Sequence, residues 1–183
     1  MVDVIPTALP GVLEIVTPRF GDDRGIFSET WNAAAFAEAG IDTAFVQDNF
    51  SRSAKGVLRG LHYQVEPIAQ AKLVRVGRGA IFDVAVDIRR SSPTFGRWTG
   101  IELSAARWNQ LFVPAGFAHG FIAVEDDTEV QYKVSAPYSA AHDRAIAADD
   151  PAIGIDWPLA PSEWSRSAKD VAAPLLAQAE IFA

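Results

Sequence analysis

The 183-residue chain contains no cysteine. Disulfides, thiolate metal centres and cysteine nucleophiles are therefore excluded. Histidine is scarce as well. His62, His119 and His142 are the only three, and no His-x-His pair occurs. A metal-binding β-barrel of the common kind needs two close histidines, a glutamate and a third histidine, so this spacing argues against a metal centre. No run approaches roughly 18 uninterrupted apolar residues, which argues against a membrane-spanning helix. The opening stretch MVDVIPTALPGVLEIV lacks a basic region and carries Asp3, Pro6 and Pro10, so it does not read as a signal peptide. Excess positive charge is missing too. The formal net charge is −7 and the pI about 4.9. That argues against general nucleic-acid binding, but a few converging Arg and Lys residues could still hold a phosphorylated small ligand. The expectation is a cytoplasmic soluble protein without a metal centre.

What is present is a globular composition, 49% hydrophobic and 21% charged, in a length that suits one domain spanning 1–183. Strand-like runs dominate the middle. In AIFDVAVDI (80–88), Phe82, Val84, Val86 and Ile88 share one side while Asp83 and Asp87 share the other, the period of a half-buried strand. AKLVRV (71–76), WTGIEL (98–103), QLFVP (110–114), HGFIAV (119–124) and TEVQYKV (128–134) read similarly, with GRG, SSPTFG, PAGF and EDD as turn signals between them. Short strands at this spacing predict an antiparallel sandwich or barrel. Two helix candidates stand out: NAAAFAEAG (32–40), ending in a glycine cap, and SAKDVAAPLLAQAE (167–180), bent or restarted at Pro174. The predicted architecture is a double-sheet β-barrel with a C-terminal helical extension.

Five clusters could carry chemistry, and each also has a plain structural reading. In GVLRGLHYQ (56–64), Leu58, Gly60, His62 and Gln64 share a strand face while Arg59 points to the other; the histidine could be core filler bonded to a backbone carbonyl. In AQAKLVRV (69–76), Lys72 sits with Val74 and Val76, costly unless paired or facing an anion, although it could snorkel from an edge strand. His119 opens a strand in GFAHGF. Tyr132 shares a face with Val130 and Val134, so it points inward and could simply be core. Lys169 and Asp170 open a helical stretch, where an acidic residue can serve only as a cap.

Taken in order, FGDDRGIFSE (20–29), FVQDN (45–49), GVLRGLHYQ (56–64), QAKLVRV (70–76), IFDVAVDIRRSSPTFGRW (81–98), PAGFAHGF (114–121), YKVSAPY (132–138), DPAIGIDWP (150–158) and KD (169–170) resemble the dTDP-4-dehydrorhamnose 3,5-epimerase family across nearly the whole chain. The resemblance implies a cupin-like jelly-roll β-barrel, mainly β with short helices, and a homodimer in which the N-terminal segment 1–50 contributes to the interface. It implies a dTDP-linked 4-keto-6-deoxy sugar as ligand. It also implies epimerisation at C3 and C5, by proton removal beside the C4 ketone and reprotonation from the opposite face, a reaction that requires neither redox cofactor nor metal.

That chemistry wants a base with a pKa near neutrality, and histidine supplies one. The resemblance implies His62 as the base, Asp170 as its orienting acceptor, Lys72 beside the developing enolate oxygen and Tyr132 as the acid on the opposite face. It implies substrate contacts for Arg24, Phe27 and Glu29, partly across the dimer, and for Gln47, Asn49, Arg59, His119, Tyr138, Asp143 and Lys169. Tyr138 would stack on thymine, and Arg59 and Lys169 would meet the sugar or diphosphate.

The chain departs from the family pattern in four places. Phe50 stands where histidine is common, Pro137 replaces the first aromatic of a pair, Asp143 replaces a glutamate, and RAIAADDP (144–151) lacks a tryptophan. A single-carbon epimerase of a related deoxysugar would keep His62 and Tyr132. A non-catalytic sugar-nucleotide barrel would not need His62, Lys72, Tyr132 and Asp170 together, and a metal-dependent cupin would need a histidine cluster. Using both Arg59 and His62 in one site requires the strand to bulge or twist near Gly60, or Arg59 to curl round an edge.

Overall fold

Period-two alternation of β-branched and aromatic residues makes this chain a set of strands, and those anticipated between residues 57 and 134 keep their places to within a few residues. The computed structural model describes residues 1–183. In chain order the strands are β1 (Asp3–Pro6), β2 (Leu13–Val16), β3 (Phe20–Asp22), β4 (Gly25–Phe27), β5 (Gln47–Ser53), β6 (Leu58–Gln64), β7 (Lys72–Arg78), β8 (Ala80–Asp87), β9 (Trp98–Ser104), β10 (Asn109–Val113), β11 (Phe117–Ala123), β12 (Thr128–Val134) and β13 (Asp143–Ala145). They form a six-stranded sheet, β1-β2-β10-β7-β12-β5, a five-stranded sheet, β13-β6-β11-β8-β9, and a separate β3–β4 hairpin. Neighbouring strands pair antiparallel, so each sheet can present one face to its partner sheet. This is the mainly β, jelly-roll architecture that the sequence anticipates.

The core between the sheets joins Val74, Val76, Leu111 and Val130 of the first sheet to Ile81, Ala85 and Phe121 of the second. Fully burying one such side chain is worth about 1.5–3 kcal/mol, so this layer dominates the stability of the barrel. The outer face of the first sheet is covered by helix α1 (Ala33–Glu38). Asn32 caps it by accepting from the Ala35 N–H at 3.2 Å, and Phe36 packs with Ile15, Leu73 and Phe112.

β8 corrects the sequence reading. It is not half-exposed. Ile81 and Ala85 belong to the inter-sheet core, so the face that carries Asp83 and Asp87 points into the barrel. The face with Val84, Val86 and Ile88 lies under the C-terminal segment, packed with Tyr63, Ile146, Ile153 and Leu176.

That segment is also less helical than anticipated. Residues 167–180 hold one helical turn, α2 (Ala168–Val171), and a 3₁₀ turn (Leu176–Gln178). Pro174 has no N–H to continue the helix. Instead, Leu176 N–H donates to buried Asp150 Oδ2 at 2.7 Å, and the Leu176 side chain joins the outer core.

Candidate active site

The site begins with an irregularity in β6. Across the β11 ladder His119 pairs with His62, but Phe121 pairs with Arg59. Two steps on β11 therefore face three on β6, which is a β-bulge. One extra residue reverses the alternation, so Arg59 and His62 reach the same cavity, as the bulge expectation required. Gly60 makes this possible. Its φ is +140°, and a Cβ there would lie 2.5 Å from the Gly120 Cα of the neighbouring strand.

His62 Nε2 lies 2.5 Å from Asp170 Oδ1. A carboxylate only accepts, so Nε2 carries the proton and Nδ1 keeps the lone pair. Asp170 is itself built into place. Its Oδ2 accepts from Ser167 Oγ at 2.8 Å, and the Ser167 hydroxyl oxygen caps α2 by accepting from the Asp170 N–H at 3.1 Å. Burial works to raise the Asp170 pKa, but the bonds from His62 and Ser167 outweigh it and hold the carboxyl below its usual range. It is therefore a fixed anion behind the imidazole.

Lys72 enters from the other sheet. It is buried, and its Nζ donates to the His62 carbonyl oxygen at 3.1 Å. Burial pulls its pKa from 10.5 down to about 8, with Asp83 and Asp143 pulling up and Lys169 pulling down. Tyr132 lies on β12, two residues along the ladder from the position opposite Lys72, since Val134 pairs with Lys72 and Tyr132 with Val74. Burial pushes its hydroxyl above the ordinary value of 10. It stays protonated, ready to donate. Thus His62 and Asp170 line one wall of the cavity while Lys72 and Tyr132 line the facing wall.

These residues border two connected pockets. One, about 340 Å³, is lined by Ser51, Arg59, His62, Lys72, His119 and Tyr132. The other, about 170 Å³, adds Gln47, Asn49, Gln64, Tyr138 and Asp143, with His62, Lys72, Tyr132 and Lys169 common to both. Together they suit a small polar ligand. Arg59 Nε donates to Ser53 Oγ at 3.2 Å, which leaves its terminal nitrogens free for an anion.

Gln47 Nε2 donates to Asn49 Oδ1 at 2.8 Å, and Gln47 Oε1 accepts from the Tyr138 N–H at 3.0 Å. Asp143 makes direct contacts, with Lys169 Nζ at 2.5 Å and the Tyr138 hydroxyl at 3.2 Å. The shorter acid thus still reaches both neighbours. Phe50 borders the larger pocket with an exposed ring, and Pro137 contributes a carbonyl that accepts from Gln64 Nε2 at 3.1 Å.

Not every anticipated residue is brought in. Arg24 and Phe27 lie on the β3–β4 hairpin, and they and Glu29 face solvent away from the His62 cavity of their own chain. His142 pairs with Ser139 Oγ at 2.9 Å, apart from the other two histidines.

The sequence reading missed three residues that shape the site: Ser53, Ser167 and above all Asp83. Asp83 Oδ1 lies 2.7 Å from His119 Nε2, and both residues are buried. Burial lowers the pKa of His119 despite the Asp83 carboxylate, so its imidazole is held neutral. The signal was available, because Ile81 and Ala85 flank Asp83 on its face and no solvent face would carry them.

Comparison with known proteins completes the picture. The family model described as dTDP-4-dehydrorhamnose 3,5-epimerase matches residues 6–178. The dTDP-4-dehydrorhamnose 3,5-epimerase of Salmonella typhimurium is 51% identical over 180 residues, 98% of each chain. That of Sinorhizobium fredii is 53% identical over 168 residues, 91% of this chain and 86% of the relative. The crystal structure of dTDP-6-deoxy-D-glucose-3,5-epimerase from Legionella pneumophila, in complex with dTDP-4-keto-L-rhamnose, superposes with a TM-score of 0.93 at 45% identity. It covers 97% of this chain and 94% of that one. With the family match, the sequence identity and the fold agreeing along almost the entire length, the chain belongs to the dTDP-4-dehydrorhamnose 3,5-epimerase family.

Proposed function

We propose that the protein epimerises C3 and C5 of dTDP-4-dehydro-6-deoxy-D-glucose to give dTDP-4-dehydro-L-rhamnose. The observation that carries this reading is the placement of His62 and Tyr132 on facing sheets, with buried Lys72 on the neighbouring strand to Tyr132 and all three lining one cavity. A sugar held there has a base on one face and an acid on the other. His62 Nδ1 removes the proton made acidic by the C4 ketone, and Asp170 stabilises the imidazolium that forms. The Lys72 ammonium meets the enolate oxygen, where a desolvated charge acts more strongly than in water. Tyr132 returns a proton to the opposite face. Asp170 was fixed in advance by Ser167, so little reorganisation accompanies the step.

Arg59 and Lys169 suit the diphosphate and sugar, Tyr138 the thymine ring, and Gln47, Asn49, His119 and Asp143 the remaining polar contacts. The reading extends to one cupin-like domain over 1–183, to a homodimer and to a cytoplasmic setting. The β3–β4 hairpin supports the dimer. Phe20, Ile26 and Phe27 are exposed on it beside Arg24, an arrangement suited to entering a partner's site.

Proton NMR of the product formed in deuterium oxide tests the reaction. Deuterium at both C3 and C5 is expected; label at one carbon would reduce the activity to a single epimerisation. His62→Ala should abolish turnover while nucleotide binding survives, and near-native turnover in that variant would sink the mechanism.

A further inference from the structure

Asp83 is fully buried on the inner face of β8 and is poorly accounted for as a structural residue. Its Oδ1 accepts from His119 Nε2, yet no protein atom hydrogen-bonds Oδ2. A buried carboxylate with a single partner is costly and calls for a reason. Asp87, on the same face and equally buried, is a contrast within the same strand. It accepts from the Arg89 guanidinium and backbone N–H, and from the hydroxyls of Ser92 and Thr94. That is a structural carboxylate with its bonds filled.

The neighbours of Asp83 belong to the cavity instead. His119 is the ladder partner of His62 and lines the larger pocket. Held neutral by burial, it orients the carboxylate but does not cancel its charge. Two cations without a carboxylate partner line that pocket, Arg59 and Lys72; Lys72 is the buried one, and Asp83 acts on it more strongly than any other charge.

Several elements bring charged groups to the pocket around Lys72, and Arg59 of β6 adds a second cation whose Nε is bonded to Ser53. Asp143 of β13 also attracts Lys72 but is already paired with Lys169 of α2 at 2.5 Å, and Lys169 repels it. His62 of β6 offers its carbonyl, and its ring is bound to Asp170. Tyr132 of β12 and His119 of β11 border the same pocket and are neutral. Asp83 is the one buried carboxylate here without a closer counter-ion.

We propose that Asp83 is a positioning residue of this site: it orients His119 and supplies the fixed negative charge that keeps the Lys72 ammonium protonated in a dry cavity. The proposal rests on the function above only in giving that ammonium a task at the enolate oxygen.

The test titrates Lys72 itself. In protein labelled with ¹³C at lysine Cε, the Lys72 signal is assigned by its loss in Lys72→Arg and followed with pH. In Asp83→Asn its midpoint should fall by about one pH unit or more, as expected on removing a close opposite charge. The alkaline limb of kcat/KM should move down with it. An unmoved midpoint in a folded Asp83→Asn protein overturns the proposal.

The titration needs no turnover, so the two ideas separate. If the midpoint moves while the activity profile does not, Asp83 keeps its role and the enolate role of Lys72 falls. Should Asp83→Asn not fold, the wild-type protein decides. The Asp83 carboxyl ¹³C signal should inflect at the Lys72 midpoint and lose that inflection in Lys72→Met; its absence from the wild type overturns the proposal.

Discussion

Replacing Asp170 with asparagine removes one negative charge from behind His62 and little else. The side chain is 4% exposed, so solvent does not screen the interaction that is lost. Ser167 Oγ now donates to Asp170 Oδ2, and its hydroxyl can turn to accept from an amide instead, so α2 should keep its cap. The His62 N–H can still donate to the amide oxygen, but the bond loses the acceptor's charge just where the imidazole becomes cationic as it takes the proton. Hydrogen bonds to charged groups contribute about 1.5–3 kcal/mol. At about 1.36 kcal/mol per decade, kcat should fall roughly 10- to 150-fold. The carboxylate touches the base and not the sugar, so KM should stay within about twofold. Stopped-time NMR of deuterium uptake at C3 and C5 gives kcat for the proton-removal step directly, and a melting curve checks the fold. A variant with normal Tm and kcat within about threefold of wild type would refute the argument. The charge would then be irrelevant, and orientation alone would explain the dyad.

Three further outcomes are expected. Lys72 loses its proton from about pH 8, so kcat/KM should fall about tenfold per unit above that, and Lys72→Arg, cationic throughout, should lack the limb. The stability sign is opposite. The folded value lies below the unfolded 10.5, so the unfolded chain holds more protons between about pH 8 and 10.5 and this residue makes stability rise with pH in that window, as pH-dependent urea melts would register. Tyr132→Phe should keep solvent exchange at the substrate carbon while inverted product falls about 10²- to 10⁴-fold, and equal loss of exchange and inversion would place the acid elsewhere. Gly60→Ala forces a Cβ to 2.5 Å from Gly120 Cα at a φ of +140°. It should cost at least about 2 kcal/mol, or about 4–8 °C in Tm, and uncouple Arg59 from His62; an unchanged Tm would count against the close-approach account.

Strand positions were legible because alternation is local, and β12 runs over the anticipated 128–134. The dyad was legible only through resemblance, since nothing near residue 62 announces a partner 108 positions away. Asp83 was misjudged because alternation names two faces without saying which is wet. Here both are covered, one by the opposite sheet and one by the C-terminal segment, and a strand enclosed on both sides has no solvent face. Residues 167–180 misled for a related reason. Alanine-rich composition favours helix, but Pro174 and the burial of Leu176 under the barrel outweigh it. Arg59 needed a bulge that no propensity specifies; it follows from a glycine that tolerates the geometry and a neighbouring glycine that leaves room.

The last barrel strand ends at Ala145, yet the carboxylate behind His62 arrives at Asp170. Between them the chain runs over the second sheet, where Ala147 N–H donates to the Pro174 carbonyl and Leu58 N–H to that of Ser165, each at 2.9 Å. The imidazole and its carboxylate are thus held by different parts of the fold, so loosening of residues 165–176 from the second sheet would withdraw the anion from His62 while His62, Lys72 and Tyr132 keep their strands.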